Sequence, residues 1–190
     1  MKIYKELIAK EKNQLPLLLK KLNLRGEGIE IGVRTGDYSE KILDKSNLCR
    51  LYSIDPWIKF KSKEYDDISN FDQKQHNSNY LKTIMKLMRF KTRSVCLRMT
   101  SKDASKLFKN KSLDFIYIDA VHSYNGCKQD IDLWWPKLKK RGIFSGHDYL
   151  NGKLPEGNFG VKKAVDKFVK KNNLRLFITK EKWPTWYLIK

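Results

Sequence analysis

The stretch Gly28-Ile29-Glu30-Ile31-Gly32-Val33-Arg34-Thr35-Gly36-Asp37 carries the pattern that decides the predicted fold. Residues 29–33 are typical of a short buried strand, and the turn at Gly36 predicts a helix that begins over 38–43. Glycine adopts positive φ and lets the backbone approach a ligand closely. The spacing differs from Gly-x-Gly-x-x-Gly, and no Gly-Lys-Ser/Thr follows, so a pyrophosphate cradle is not expected.

Strand patterns and helical periodicities alternate along the rest of the chain. An N-terminal helical segment, 1–23, comes first. Strands are predicted at 51–54, 94–99, 113–118 and 142–145, helices at 73–90, 101–108, 124–138 and 160–171, and two closing strands at 174–179 and 185–189. This order favours an α/β fold with a doubly wound, mostly parallel seven-stranded sheet. The closing strands are too close in sequence for a crossover helix, so the sheet is expected to have an antiparallel C-terminal strand.

Length and composition favour a single domain over residues 1–190. Hydrophobic residues make up 41% of the chain, enough for a sizeable core. The apolar runs are too short for a transmembrane helix, and charged residues begin at Lys2, so no signal peptide is expected. Cys49, Cys96 and Cys127 are odd in number and widely spaced, which favours a reducing compartment. We therefore expect a soluble cytoplasmic protein.

The net charge is strongly positive, at +19 from 40 Lys and Arg against 21 Asp and Glu. Such a charge attracts polyanions, so a nucleic-acid partner is one alternative. However, 32 of the 40 cations are Lys, and they are spread along the whole chain. Recognition of bases and phosphates favours Arg, whose planar fork bonds bidentately. A solvated lysine-rich surface is therefore the favoured interpretation.

Polar side chains recur where the predicted strands end. In an open doubly wound sheet, ligands bind outside the carboxyl ends of the strands. Asp55, at the end of the second strand, is placed to accept hydrogen bonds from ribose hydroxyls, or alternatively to cap the following turn. Together with the glycine-rich turn it predicts a nucleoside-containing ligand. The residues at these ends are Glu30 to Gly36, Asp55, Thr100, Ser101, Asp119, His147 and Asp148.

Four segments resemble class I S-adenosylmethionine-dependent methyltransferases. Residues 30–39 look like the first motif of that family, and Ser53-Ile54-Asp55-Pro56-Trp57 looks like its ribose-binding strand end. Residues 112–124 and 139–149 resemble the small bacterial-type branch that includes macrocin-like and catechol-like O-methyltransferases. The resemblance extends from about residue 15 to the C-terminus.

The resemblance implies a site for S-adenosyl-L-methionine. The loop from Gly32 to Gly36 would pass under the methionine end of the cofactor, Asp55 would hold the ribose, and Ser101 would border the adenine. The implied cofactor-binding residues are Glu30, Gly32, Gly36, Asp55, Ser101 and Asp119.

The resemblance also implies a catalytic centre at Asp119, His122 and Asp148. In the catechol-like relatives, carboxylates at the positions of Asp119 and Asp148 bind Mg²⁺, with a third Asn or Asp beside the second. Here the neighbours are His147 and Tyr149, so an all-oxygen set is incomplete and a transition metal is the alternative. His122 occupies the position of a general-base Lys, or alternatively bonds a loop backbone; His147 would brace Asp148.

The segment 57–72 is a candidate lid over the methyl acceptor. Its aromatic side chains include Trp57, Tyr65 and Phe71, and His76 lies just beyond it. Two carboxylates of the helix 124–138, Asp130 and Asp132, are expected to be solvated, and at least one of Trp134 and Trp135 is expected to pack against the sheet in the core.

The predicted function is methylation of a hydroxyl group on a small molecule, either a sugar or a phenol-like compound. One alternative is a nucleic-acid methyltransferase that uses the basic surface, although no Asn/Asp-Pro-Pro-Tyr/Phe motif is present. Another is a cofactor-binding protein without transfer activity, because fold does not fix function. A homodimer is one alternative for the oligomeric state, and no membrane partner is expected.

Overall fold

The computed structural model describes residues 8–61 and 67–190. Part of the predicted N-terminal helical segment, residues 1–7, therefore lies outside the described residues. The described part contains a short 3₁₀ turn at Lys12–Gln14 and helix α1 at Leu15–Lys21. Pro16 stands in the first turn of α1, where a missing N–H costs no helical hydrogen bond.

A seven-stranded sheet forms the centre of the molecule, as predicted. Its strands are β1 (Glu27–Ile31), β2 (Arg50–Asp55), β3 (Ser94–Arg98), β4 (Leu113–Ile118), β5 (Leu138–Gly146), β8 (Phe177–Ile178) and β9 (Trp186–Ile189). Their order in the sheet is β3-β2-β1-β4-β5-β9-β8. Strands β1 to β5 are parallel to their neighbours among these five, and β9 runs antiparallel to both β5 and β8.

Helices cover both faces of this sheet. The helices that follow the strands along the chain, as a doubly wound fold requires, are α2 (Asp37–Lys45), α3 (Gln73–Leu87), α4 (Ser101–Ser105), α5 (Tyr124–Trp134) and α6 (Val161–Asn172). Side chains of β4 alternate between two hydrophobic clusters, with Ile116 in one and Phe115 and Tyr117 in the other. All six β4 residues are buried. Trp134 packs in the first cluster with Trp135 against it, which confirms that at least one of this pair lies in the core.

The pairing register brings the ends of β1, β2 and β4 level with one another. Ile31 of β1 lies opposite Ile54 of β2 and Ile118 of β4. The residues that follow these strands therefore meet at one edge, as expected from the carboxyl-end rule. Two backbone hydrogen bonds continue the alignment past the strands: Gly32 N–H donates to the Ile54 carbonyl at 2.9 Å, and Asp119 N–H donates to the Ile31 carbonyl at 2.8 Å.

Several predicted boundaries were wrong. Strand β5 begins at Leu138, because a bulge lets Leu113 pair with Leu138 before the register resumes at Phe115 and Ile143. The closing segment 174–179 contributes only Phe177–Ile178 to the sheet.

A second, two-stranded sheet was missed by the sequence analysis. It consists of β6 (Gly152–Leu154) and β7 (Gly157–Phe159), which pair antiparallel. An isolated bridge joins Gly157 to Asp67, so this hairpin contacts the segment predicted as a lid. Three-residue strands give no apolar alternation from which to predict them. Among the residues that the structure describes, no helix combines the length and the apolar composition needed to cross a bilayer.

We predict that Gly32→Ala destabilises the protein far more than Gly152→Ala does. Both glycines have positive φ, 83° and 106°, so each substitution carries a left-handed backbone penalty of roughly 1–2 kcal/mol. A Cβ on Gly32 would lie 1.9 Å from the carbonyl oxygen of Asp119, whereas a Cβ on Gly152 would meet nothing within 4 Å. Denaturant unfolding measures the two losses, and equal losses would contradict the close approach of the two loops.

Candidate functional site

An open cavity of about 1090 Å³ lies at the carboxyl edge of the parallel strands. The loops that follow β1, β2, β4 and β5 line it, together with α4 and the 67–71 segment. Most of the predicted site residues meet here: Glu30, Gly32, Asp55, Ser101, Asp119, His122, His147 and Asp148. Gly36 does not belong to the lining. Gly36 caps the N-terminus of α2 with a φ of 76°, and a Cβ at this position would lie 3.1 Å from the Thr83 side chain of α3.

The Asp55 carboxylate shapes the loop after β1. Its Oδ2 accepts hydrogen bonds from the backbone N–H groups of Val33 and Arg34, each at 3.0 Å, and its Oδ1 accepts from Trp57 N–H at 2.7 Å. A carboxylate offers about four acceptor positions, so roughly one remains for a ligand. Asp55 thus caps the turn, as one predicted alternative required, and still faces the cavity.

Glu30 is a buried carboxyl group at the floor of the cavity. Its side chain accepts a short hydrogen bond from Ser39 Oγ, which in turn lies 2.7 Å from Ser53 Oγ. Burial raises the pKa of Glu30 from its usual 4.5 to about 8, because the charged form loses its hydration. Glu30 is therefore protonated at neutral pH when no ligand is bound.

The buried carboxyl group gives a testable pH dependence. Between pH 4.5 and 8 the folded protein binds a proton at Glu30 that the unfolded chain releases, so its stabilising contribution is lost as pH rises through that window. We predict that Glu30→Gln removes this part of the fall in unfolding free energy, which amounts to ~1.4 kcal/mol per pH unit inside the window. Denaturant titrations from pH 5 to 9 measure the difference between the two proteins. Parallel stability curves would show that Glu30 titrates normally.

Ser101 lies at the start of α4, beside a second buried carboxyl group. Its hydroxyl donates to Asp130 Oδ1 at 2.5 Å and accepts from the Trp134 indole N–H at 2.8 Å. The prediction that Asp130 is solvated was wrong, since the side chain is buried and lines the cavity. Burial raises its pKa to about 6. Asp132, by contrast, is exposed and pairs with Lys128 at 2.5 Å, as expected of a solvated residue.

The described aromatic residues in and beside the candidate lid differ in their positions. Trp57 is buried, and its indole N–H donates to the Arg34 carbonyl at 2.8 Å. Its side chain therefore packs beneath the loop after β1 and does not belong to a lid. Phe71 and His76 line the cavity and contact each other edge-on. Tyr65 lies outside the described residues.

Asp119, His122 and Asp148 converge at one end of the cavity. One donor atom from each lies within 4.8 Å of the other two. His122 Nε2 lies 3.0 Å from Asp148 Oδ2 and 3.7 Å from Asp119 Oδ1. His147 adds a second imidazole, with Nδ1 at 2.8 Å from Asp148 Oδ1, which is the bracing position predicted for it.

The electrostatics of this cluster favour a cation at its centre. Burial opposes protonation of His122, but the carboxylates of Asp119, Asp148 and Asp67 outweigh it and raise its pKa to about 11. Burial likewise opposes ionisation of Asp148, but His122 and His147 hold its pKa below the ordinary range. A protonated imidazole neutralises the carboxylates and can neither take a proton nor bind a metal. A bound metal ion would take the place of that proton.

The donor set of the cluster fits a divalent metal ion. His122 Nε2 is buried and has no hydrogen-bond partner in the described structure, although it lies between two carboxylates. Two carboxylate oxygens and one imidazole nitrogen suit ions such as Mn²⁺ better than Mg²⁺, because Mg²⁺ prefers oxygen. Asp148 has a φ of 51°, a conformation that Asp and Asn tolerate best after glycine.

Comparison with known families decides what kind of site this is. Residues 29–149, which run from within β1 to just past the end of β5, match the family described as "Methyltransferase domain". The chain belongs to this methyltransferase family. No curated protein sequence matches the chain significantly.

Solved structures with a similar fold are also methyltransferases. The O-methyltransferase from Bacillus cereus in complex with SAH has a TM-score of 0.64 and 14% identity, over 99% of this chain and 86% of that one. The O-methyltransferase NovP has a TM-score of 0.64 and 17% identity, over 94% and 77%. An rRNA methylase from Streptococcus thermophilus has a TM-score of 0.57 and 10% identity, over 87% of both chains. At these identities the likeness shows the fold.

The methyltransferase is thus a class I, S-adenosylmethionine-dependent enzyme, and both the predicted fold and the predicted enzyme class are confirmed. Four further carboxyl residues line the cavity and were not predicted as site residues: Asp37, Asp67, Asp130 and Glu156. Asp67 lies in an irregular segment with no motif. Asp130 stands three residues after Cys127 and four before Trp134, on the buried face of α5, and this spacing was the available signal for its burial.

Proposed function

We propose that this methyltransferase transfers the methyl group of S-adenosylmethionine to a hydroxyl oxygen of a small molecule, a sugar or a phenol-like compound with neighbouring hydroxyls. The observation that carries the proposal is the cluster of Asp119, His122 and Asp148 in the same cavity as the loop at Gly32 and Asp55. Such a cluster is suited to hold paired hydroxyl oxygens beside a methyl donor. Orientation of two reactants can contribute roughly 7–11 kcal/mol.

The cofactor side of the site is assigned to the edge formed by β1, β2 and α4. Glu30 and Gly32 would face the methionine end, Asp55 would use its remaining acceptor position on the ribose, and Ser101 would border the adenine. The Asp119 backbone, bonded to Ile31, would close the cavity between cofactor and acceptor. Because Gly36 caps α2 and lies outside the lining, its role is to direct the loop and not to contact the cofactor.

The acceptor side is assigned to Asp119, His122 and Asp148 as ligands of a divalent metal ion. Such an ion, when bound, would hold two neighbouring hydroxyl oxygens and lower the pKa of one of them. His122 Nε2 cannot both bind a metal and accept a proton, and its position between the carboxylates favours the metal role. The general-base role predicted for the same nitrogen is the alternative, and transfer activity that needs no metal would favour it.

The reaction requires few changes at the protein. The acceptor oxygen forms a bond to the methyl carbon, the carbon–sulfur bond breaks with its electron pair on sulfur, and the hydroxyl proton passes to solvent water. The rings of Phe159 and Trp183 pack with their centroids 5.7 Å apart and line the cavity on the acceptor side. The side chains of Asp119 and Asp148 place two carboxyl groups beside the acceptor.

No structural observation favours the nucleic-acid alternative. The +19 charge arises from lysines spread along the chain. The alternative without transfer activity is set aside because the chain belongs to an enzyme family. The cytoplasmic location and the oligomeric state, including a homodimer, stay predictions, as does the assignment of residues 1–190 to one domain.

We predict that Asp148→Asn lowers methyl transfer at least a hundredfold while leaving SAH affinity within threefold. Asn tolerates the left-handed backbone at this position but removes a negative charge from the acceptor side. Asp132→Asn is the matched control, because Asp132 is exposed on α5. Transfer of labelled methyl is measured with catechols, sugars and RNA, each with Mn²⁺ or with a chelator. Label only in RNA would contradict the small-molecule proposal, and unchanged transfer in Asp148→Asn would contradict the assigned centre.

A further inference from the structure

The Asp67 carboxylate contacts the His122 imidazole on the side opposite Asp119 and Asp148. Asp67 lies outside the motif 112–124 that contains His122. Asp67 Oδ2 lies 2.7 Å from His122 Nδ1, and the two residues are 55 positions apart in the chain. The Asp67 side chain is only 5% exposed. A carboxylate can only accept, so Nδ1 must carry the proton of this hydrogen bond.

This hydrogen bond determines what the opposite nitrogen can do. When Nδ1 carries the proton of a neutral imidazole, the lone pair is on Nε2. Nε2 is the buried atom that faces Asp119 and Asp148 and has no hydrogen-bond partner among the described residues. When a metal ion takes the place of the Nε2 proton, the contact with Asp67 therefore keeps the other proton on Nδ1 and leaves the Nε2 electron pair directed at the centre of the cluster.

The direction of the ring is fixed by further contacts. The imidazole stacks on Phe159 of β7, with ring centroids 4.9 Å apart and an interplanar angle of 16°. The His122 carbonyl accepts from Gly160 N–H at 2.8 Å. The hairpin β6–β7 thus supports the ring and its backbone from one side.

Asp67 is itself held in place. Its Oδ1 accepts from Ser69 N–H at 2.8 Å, its backbone forms the bridge with Gly157, and the next residue, Ile68, donates its N–H to the Glu156 carbonyl at 3.2 Å. Asp67 and the Phe159 ring are therefore anchored to the same hairpin.

We propose that Asp67 is a positioning residue that fixes the tautomer and the direction of His122, so that Nε2 becomes the third donor to a divalent cation at Asp119 and Asp148. Asp67 acts through His122 and does not touch the substrate. This inference rests on the metal centre of the proposed function. Carboxylates that hold a ligating histidine in this way typically contribute roughly 10- to 100-fold to metal affinity.

The test is a calorimetric titration of Mn²⁺ into the full chain, without cofactor or acceptor. Asp67→Ala is expected to weaken Mn²⁺ binding at least tenfold. Asp67→Asn, of nearly equal size, is expected to weaken it as well, because Ser69 N–H and His122 Nδ1 face different oxygens of Asp67, and the amide group puts an NH₂ donor in one of these two positions. Thermal unfolding of each metal-free variant checks that the fold is retained.

Asn70→Ala is the matched control. Asn70 exchanges two hydrogen bonds with the Phe60 backbone, each at 3.0 Å, so its loss perturbs the same segment without removing the carboxylate from His122. Mn²⁺ affinity of this variant is expected to stay within twofold of the wild type. A loss as large as that of Asp67→Ala would mean that Asp67 matters only for the structure of the segment, and would overturn the inference.

A double-variant cycle shows whether Asp67 acts through the imidazole. In a His122→Ala background, Asp67→Ala is expected to change Mn²⁺ affinity less than twofold. A further tenfold loss would overturn the positioning role. If the wild type binds Mn²⁺ and both Asp67 variants bind it equally well, only this inference fails. If the wild type binds no Mn²⁺, the metal centre of the proposed function fails, and the inference fails with it.

Discussion

The close approach of the loops after β1 and β4 is the constraint on which the rest of the site depends. Asp119 N–H bonds to the Ile31 carbonyl at 2.8 Å, and the Asp119 carbonyl occupies the space where any side chain at residue 32 would begin. Only glycine at that position lets the two loops meet. The contact places the cofactor loop and the first acidic residue of the acceptor-side cluster next to each other, at the one edge where parallel strands present their carboxyl ends.

Charge is distributed across this edge in a way that suits its two substrates. On the cofactor side, burial keeps Glu30 protonated at neutral pH, and the Asp55 carboxylate is largely occupied by backbone N–H groups. On the acceptor side, the carboxyl groups of Asp119 and Asp148 surround His122 Nε2, and the protonated imidazole supplies the balancing positive charge. A cation is therefore favoured where the acceptor hydroxyls would bind, which is the physical basis for assigning a metal ion to that side.

The sequence predicts most of this arrangement because the relevant residues follow apolar strands directly. Glu30, Asp55, Asp119 and Asp148 each stand at or just past a strand end, and parallel pairing brings such positions to one edge whatever the loops do. The position of Gly36 was harder to predict, since a glycine that starts a helix and one that faces a ligand have the same local pattern. The helical spacing of Asp130 with Cys127 and Trp134 indicates its burial but not its hydrogen bond to Ser101.

Contacts between irregular segments could not be predicted from the sequence. Asp67 reaches His122 only because a bridge to Gly157 joins its segment to a hairpin of two three-residue strands, neither of which has an apolar pattern. Long-range contacts of this kind follow from packing in three dimensions. They also account for the part of the site that could not be assigned from the sequence, the Asp67 carboxylate at Nδ1 of His122.

Anomalous diffraction at the manganese edge, from crystals of the enzyme grown with SAH and Mn²⁺, is the decisive measurement for the acceptor-side metal centre. We expect one strong peak within coordination distance of an Asp119 oxygen, an Asp148 oxygen and His122 Nε2, beside SAH in the loop at Gly32 and Asp55. SAH bound there with no peak among these three side chains would contradict the assignment.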